Sequence, residues 1–133
     1  MGSIQKFEDL ECWQQARTLV NIVYKSIKSS SEFQKDFRLA GQFTGAAISV
    51  MNNISEGWAS QSNAEFIRFL TYSRRSTAET QNCAYIALDQ NYITREIFEE
   101  IYNQGLKTIQ ITDGLLRYLR SQRSKRSKRS QRS

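Results

Sequence analysis

The sequence has no histidine, no proline and only two cysteines among its 133 residues. Without histidine, the chain lacks the usual base of a nucleophilic triad and the nitrogen ligand of most zinc and di-iron sites. Cys12 and Cys83 lie far apart and form no C-x-x-C motif, so we interpret both as small buried side chains. A carboxylate-only site would need Glu56 and Glu79, for which a structural role is the simpler interpretation. We therefore predict no enzyme, no metal site and no cofactor.

Long apolar runs are also missing. No stretch approaches the roughly 18 apolar residues that cross a bilayer, and the first residues lack the apolar region of a signal peptide. We expect a cytoplasmic protein without a membrane partner. The sequence also lacks sustained strand-like alternation and the Asn-Gly or Asp-Gly turns of hairpins, which argues against a β-fold.

The positive charge is confined to one end of the chain. The net charge is +6, yet residues 1–120 hold 13 basic and 13 acidic side chains and are therefore neutral. Residues 121–133 contain no acid and six cations, which are Arg123, Lys125, Arg126, Lys128, Arg129 and Arg132. With no apolar residue to bury, this segment is predicted to be a disordered tail. Such a tail can bind nucleic acid through phosphates, or it can be a solubilising extension.

Four segments repeat apolar residues at alternating intervals of three and four, the period of packed helices. They predict helices over about residues 8–28, 36–56, 63–89 and 95–120. Asp36, Ser62 and Thr94 are suitable N-caps, and Gly57 suits a left-handed position after the second helix. The short connections favour antiparallel neighbours. The predicted fold is an all-α, up-down-up-down four-helix bundle over residues 1–120.

Several polar residues of the second and third helices have both a functional and a structural interpretation. Asn53 lies on the apolar seam of the second helix, where it either sets the helix register or is hydrogen-bonded locally. The hydroxyl-rich middle of the third helix, which includes Ser76, could supply its partners. Arg74 and Arg75 are candidates for a phosphate-binding patch, against the simpler alternative of a solvated face.

The motifs together resemble a family. Phe7-x-x-Leu10-x-x-Trp13-x-x-Ala16 opens the match, which covers about residues 7–118 and continues through Asn53-Ile54-Ser55-Glu56-Gly57, Glu65-Phe66-x-x-Phe69-Leu70 and Ser76-x-x-Glu79. The sequence is similar to the bacterial four-helix-bundle proteins encoded in 23S rRNA intervening sequences, a family related to accessory proteins of diversity-generating retroelements. The resemblance marks Asn53, Glu56, Gly57, Ser76 and Glu79 as structural motif residues.

The resemblance implies a homo-oligomer, commonly a pentamer, that associates with nucleic acid. Retroelement relatives bind a reverse transcriptase and its RNA. The sequence departs from the family pattern at Thr44-Gly45, where a basic pair is usual, and at Arg75, where a small residue is usual. Two hypotheses follow. The protein is either a nucleic-acid-associated oligomer, with RNA as the expected ligand, or an adaptor that docks another protein such as a reverse transcriptase.

Overall fold

The computed structural model describes residues 3–132, without the side chains of residues 127 and 130–132. A 3-10 turn over Phe7–Asp9 is followed by helices α1 (Glu11–Lys28), α2 (Ser31–Lys35), α3 (Phe37–Ala59), α4 (Asn63–Asp89) and α5 (Arg95–Arg132). Within this described range there is no strand, so the predicted all-α class is confirmed. None of the described helices is long and apolar enough to cross a membrane.

Side-chain caps start the helices where the sequence predicts them. The cap oxygen accepts a hydrogen bond from the backbone N–H three residues later in each case: Asp36 from Leu39 at 3.0 Å, Ser62 from Glu65 at 3.3 Å, and Thr94 from Ile97 at 3.2 Å. Ser30 caps the short helix α2 in the same way, through Phe33 N–H at 3.1 Å. That helix lies within the serine-rich break between the first two predicted helices. It is too short to show a helical apolar period, so the sequence did not predict it.

Helices α3 and α4 run in opposite directions along each other. The Ser73 hydroxyl of α4 donates to the Val50 carbonyl of α3 at 2.8 Å, in the middle of both helices. Near the end of α3, Gly57 faces Phe66, which lies close to the start of α4. Residue numbers therefore rise along one helix as they fall along the other, which is the antiparallel arrangement that the short connection favours.

Helix α5 is antiparallel to α4 in turn and closes the bundle. The Gln81 amide donates to the Tyr102 carbonyl at 3.1 Å, and Arg74 pairs with Asp113 at 2.8 Å. Contacts also join α1 to α3 and α1 to α5, so the four long helices surround one core.

The core is apolar at both ends and hydroxyl-rich in the middle. Its buried polar side chains include Ser73, Thr77, Thr80, Gln81, Thr108 and Thr112. The threonine hydroxyls donate hydrogen bonds to backbone carbonyls one helical turn earlier, for example Thr112 to the Thr108 carbonyl at 2.7 Å. No buried side-chain nitrogen or oxygen in the described part of the chain lacks a hydrogen bond. Small hydroxyl side chains whose hydrogen bonds are all made thus let the helices approach closely in the middle of the bundle.

Gly57 does not have the conformation that the sequence predicted. Helix α3 continues through it to Ala59, and no glycine in the described range has a positive φ. The left-handed residue at this connection is Gln61, with φ 56°. Glycine is present because α4 is close: a Cβ at position 57 would lie 2.8 Å from Phe66 Cδ1. Asn91, in the turn between α4 and α5, is also left-handed, with φ 61°.

The basic segment also differs from its predicted disorder, because α5 continues through it to Arg132. The segment contains no glycine or proline, and arginine, lysine and glutamine favour helices. The packed part of α5 has already met the cost of nucleation, so each further residue only propagates the helix. Cations near a helix C-terminus also interact favourably with its dipole. The lack of apolar residues alone does not reveal these local factors.

Candidate nucleic-acid interface

The basic end of α5 leaves the core after Leu119, which is 2% exposed. Past this residue no described side chain is buried, and only Gln122 is half-buried. The predicted binding cations Arg123, Lys125, Arg126, Lys128 and Arg129 are all exposed. Arg132 is on the same helix, and its side chain lies outside the described set. The segment therefore presents a dense array of exposed cations.

Arg74 and Arg75, the predicted patch residues of α4, are both exposed and contact different neighbours. Arg74 Nε lies 2.8 Å from Asp113 Oδ1, so this arginine is directed toward α5. The Arg75 guanidinium carbon instead lies 5.9 Å from the ring centre of Tyr72. Consecutive residues point about 100° apart on a helix, which separates the two side chains.

Arg74 belongs to a different basic group, which the sequence did not reveal. It lines a cleft of about 380 Å³ together with Asp113, Arg117 and Arg120. Asp113 is the last acidic residue of the sequence, so everything beyond it is either neutral or basic. Arg117 and Arg120 belong to residues 1–120, whose charges balance, so composition alone does not place them in a basic region. The structure extends the basic region from the tail onto the side of the bundle.

The family motif residues have different environments. Asn53 is half-buried, and its amide donates to the Ser49 carbonyl at 2.8 Å and hydroxyl at 3.0 Å. The Ser49 hydroxyl in turn lies 2.9 Å from that of Ser76 on α4. Asn53 is therefore satisfied within its own helix and linked to α4 through one serine. Glu56 is exposed.

Glu79 lines a shallow groove between the outer faces of α3 and α4. Two cavities of about 400 and 350 Å³ share Arg38, Gln42 and Glu79 along this groove. Gly41 and Gly45 border the second cavity, and an added Cβ at either position would meet no atom within 4 Å. The groove is thus polar at its centre, where Arg38 and Gln42 of α3 lie beside Glu79 of α4, and open at Gly41 and Gly45.

Both cysteines are buried and neither is in a disulfide, as predicted for small core side chains. Burial raises the pKa of Cys12 to about 12. Burial, followed by the nearby Glu79 charge, raises the pKa of Cys83. Both thiols therefore stay protonated and weakly reactive at neutral pH.

A family model for the 23S rRNA-intervening sequence protein matches residues 8–114, most of the bundle. The chain belongs to this family. The match stops short of Arg117, so the basic end of α5 lies beyond the matched segment. The family assignment that the motifs suggested is confirmed.

A solved structure has a similar fold. It is a crystal structure of a protein of unknown function from the S23 ribosomal protein family of Bacteroides thetaiotaomicron VPI-5482. The TM-score is 0.70 at 24% identity, covering 79% of this chain and 97% of the other. At that identity the likeness shows the fold alone. Comparison with curated proteins finds no match.

Proposed function

We propose that this protein is a non-enzymatic, homo-oligomeric bundle that associates with nucleic acid through the basic end of α5. One observation carries the proposal. After Leu119 the helix has left the core, and its exposed side chains include cations but no acid. Among the cations beyond Arg120 whose side chains the structure describes, none forms an ion pair with the bundle, so phosphates are the ligands that match them best.

The proposed ligand is RNA, because the description of the family, 23S rRNA-intervening sequence protein, refers to a ribosomal RNA. Cations that replace counterions on a polyanion make binding strongly dependent on salt. Arginine and lysine contacts to phosphates position a protein on nucleic acid without reading its sequence. The tail alone is therefore proposed to supply affinity with little sequence preference.

The test compares the full chain with a variant that ends at Arg120. Binding to a fluorescently labelled RNA is measured by anisotropy at one salt concentration, and we expect the shortened variant to bind at least about tenfold more weakly. A second variant changes the six tail cations to glutamine, which keeps the length and the helix propensity. Equal affinity of all three proteins would overturn the proposal.

Assembly is proposed to use the α3–α4 groove, with a second copy of the chain as its occupant. Gly41 and Gly45 carry no side chain beyond a hydrogen atom, which leaves room for a neighbouring helix to approach. Arg38 and Glu79 place opposite charges in the same groove, so two copies can present complementary charges to each other. Exposed Ile86 lines the same groove and adds apolar surface. The pentamer that the family resemblance implies is the proposed state.

Light scattering tests assembly with a matched pair of variants. Gly45→Arg should lower the measured mass to that of a monomer, because a long side chain would fill the groove. Gly114→Arg on α5 places the same charge away from the groove and should leave the mass unchanged. A wild-type monomer at micromolar concentration would contradict the assembly proposal. The groove would then favour the second candidate function, an adaptor that docks another protein such as a reverse transcriptase.

A further inference from the structure

Arginine recurs at every third position from Arg117 to Arg132 in α5. The series is Arg117, Arg120, Arg123, Arg126, Arg129 and Arg132. At about 100° per residue, each arginine is displaced by about 60° from the one before it. The five steps between these six arginines turn through about 300° and cover about 22 Å of the helix, so the arginines are spaced around its whole circumference. The arginines therefore wind around α5 and do not form a stripe.

This arrangement leaves the end of α5 with no apolar face. The first five arginines of the series are exposed, as are Lys125 and Lys128 between them. A helix that lies on a membrane or a protein surface needs an apolar stripe on one side, which is absent after Leu119. The charge distribution instead suits a ligand that presents negative charge on more than one side of the helix.

We infer that the end of α5 lies in the major groove of a double-helical nucleic acid, where its encircling arginines reach the phosphates of both strands. The inference rests on the proposed nucleic-acid association and specifies its ligand as paired. A helix with its side chains is about 10–12 Å across, and the major groove of B-form DNA is about 12 Å wide, whereas the major groove of A-form RNA is deep and narrow. Of the two duplexes, DNA is therefore expected to show the larger effect in the binding test, although the proposed function names RNA. Each wall of the groove carries phosphates, so opposite sides of the helix find partners at the same time.

A single strand fits the segment less well. Proteins that bind single strands combine a basic track with aromatic side chains on which bases stack. No aromatic residue follows Tyr118 in the sequence. A single strand lying along one side of the helix would also leave the opposite arginines in solvent.

The cleft at the base of the segment extends the same charge toward the bundle. Arg117 and Arg120 share it with Arg74, against a single acid, Asp113. A duplex seated on the end of α5 would bring its neighbouring phosphates toward this cleft.

The test keeps composition and charge constant and changes only the face on which two arginines lie. The variant carries Ser121→Arg, Arg123→Ser, Ser124→Arg and Arg126→Ser. These exchanges move two arginines from the far side of the helix to the side that already holds Lys125 and Lys128. Circular dichroism checks that helix content is unchanged.

Binding is measured against salt for a 20-base-pair DNA duplex, an RNA duplex of the same sequence and the corresponding single strands. Duplexes carry a denser charge than single strands, so they bind cations more tightly whatever the binding mode. The deciding quantity is therefore the change in salt slope that the exchange causes on each ligand. We expect the salt slope on the preferred duplex to fall by about two, one for each lost phosphate contact, with no fall on single strands. The duplex whose salt slope falls more on the exchange is the one whose groove holds the helix.

An unchanged slope on both duplexes would overturn the groove assignment. The chain ending at Arg120 separates this failure from failure of the proposed function. If deletion abolishes binding while the exchange has no effect, the tail binds nucleic acid without using a groove. If deletion does not change the binding of any of these nucleic acids, both the groove assignment and the proposed nucleic-acid function fail.

Discussion

Gly57 of α3 and Phe66 of α4 approach so closely that a Cβ atom at position 57 would lie 2.8 Å from Phe66 Cδ1. The same atom would lie 2.9 Å from Phe69 Cβ, which is held close to the α4 backbone and cannot rotate away. Phe66 also packs edge-on against Trp58, with ring centres 6.2 Å apart. This end of the bundle therefore depends on the absence of a side chain at residue 57.

We predict that Gly57→Ala lowers the free energy of unfolding by about 1–3 kcal/mol, because the added methyl group overpacks the α3–α4 contact. Urea denaturation followed by circular dichroism measures the change. The matched control is Gly114→Ala in α5, where the added Cβ would lie 3.7 Å from Arg117 Nη2 in ordinary contact. The control should raise stability by about 0.5–1 kcal/mol, since alanine favours a helix over glycine. Similar effects at both positions would contradict the packing explanation.

The hydroxyl contact between α3 and α4 predicts energetic coupling. Ser49 and Ser76 lie 2.9 Å apart, and Ser49 also accepts from Asn53. In a double-mutant cycle of Ser49→Ala with Ser76→Ala, we expect a coupling of about 0.5–1.5 kcal/mol. Urea denaturation of the four proteins measures it. Additive effects would show that the hydroxyls do not help to hold the two helices in register.

Removing the last acid should strengthen nucleic-acid binding. Asp113 pairs with Arg74 and is the one acid in the cleft that adjoins the basic region. Asp113→Asn frees that arginine and removes repulsion toward phosphates, so the salt slope should steepen by up to about one. Asp89→Asn, at the far end of α4, makes the same change in net charge and should have a smaller effect. Equal effects would mean that only total charge matters.

The thiol of Cys12 should be unreactive in the folded protein. Its pKa is raised to about 12 by burial, so only about one molecule in 10,000 carries a thiolate at pH 8. Alkylation followed by mass spectrometry should label Cys12 only after unfolding. Because the folded pKa exceeds the unfolded one, this group's stabilising contribution is complete below about pH 9 and is lost as pH rises toward 12. Cys12→Ala should show a smaller alkaline loss, and rapid labelling of native protein would contradict the assignment.

The parts of the fold that follow from local signals were predictable. Periodic apolar residues indicated the long helices, and the caps at Asp36, Ser62 and Thr94 need only a side chain and a backbone N–H three residues apart. Gly57 was misinterpreted because its role depends on Phe66, a tertiary neighbour that no local pattern identifies. Glycine at a helix end and glycine under a close helix look the same in sequence.

The candidate site was only partly predictable for a similar reason. The tail cations were evident from composition, whereas their place on a helix depends on α5 being nucleated by the core. Arg74 and Arg75 are adjacent in sequence, but the helix directs them to different neighbours, Asp113 and Tyr72. Arg117 and Arg120 become part of the basic region only when α4 and α5 are seen side by side.

The salt dependence of nucleic-acid binding tests the central claim most directly. Anisotropy titrations of labelled RNA at several salt concentrations give the slope of log affinity against log salt for the full chain and for the chain ending at Arg120. Six tail cations predict a slope steeper by about four to five for the full chain, depending on whether the strand is single or paired. Equal slopes for the two proteins would contradict the account, because the basic end of α5 would then make no phosphate contacts.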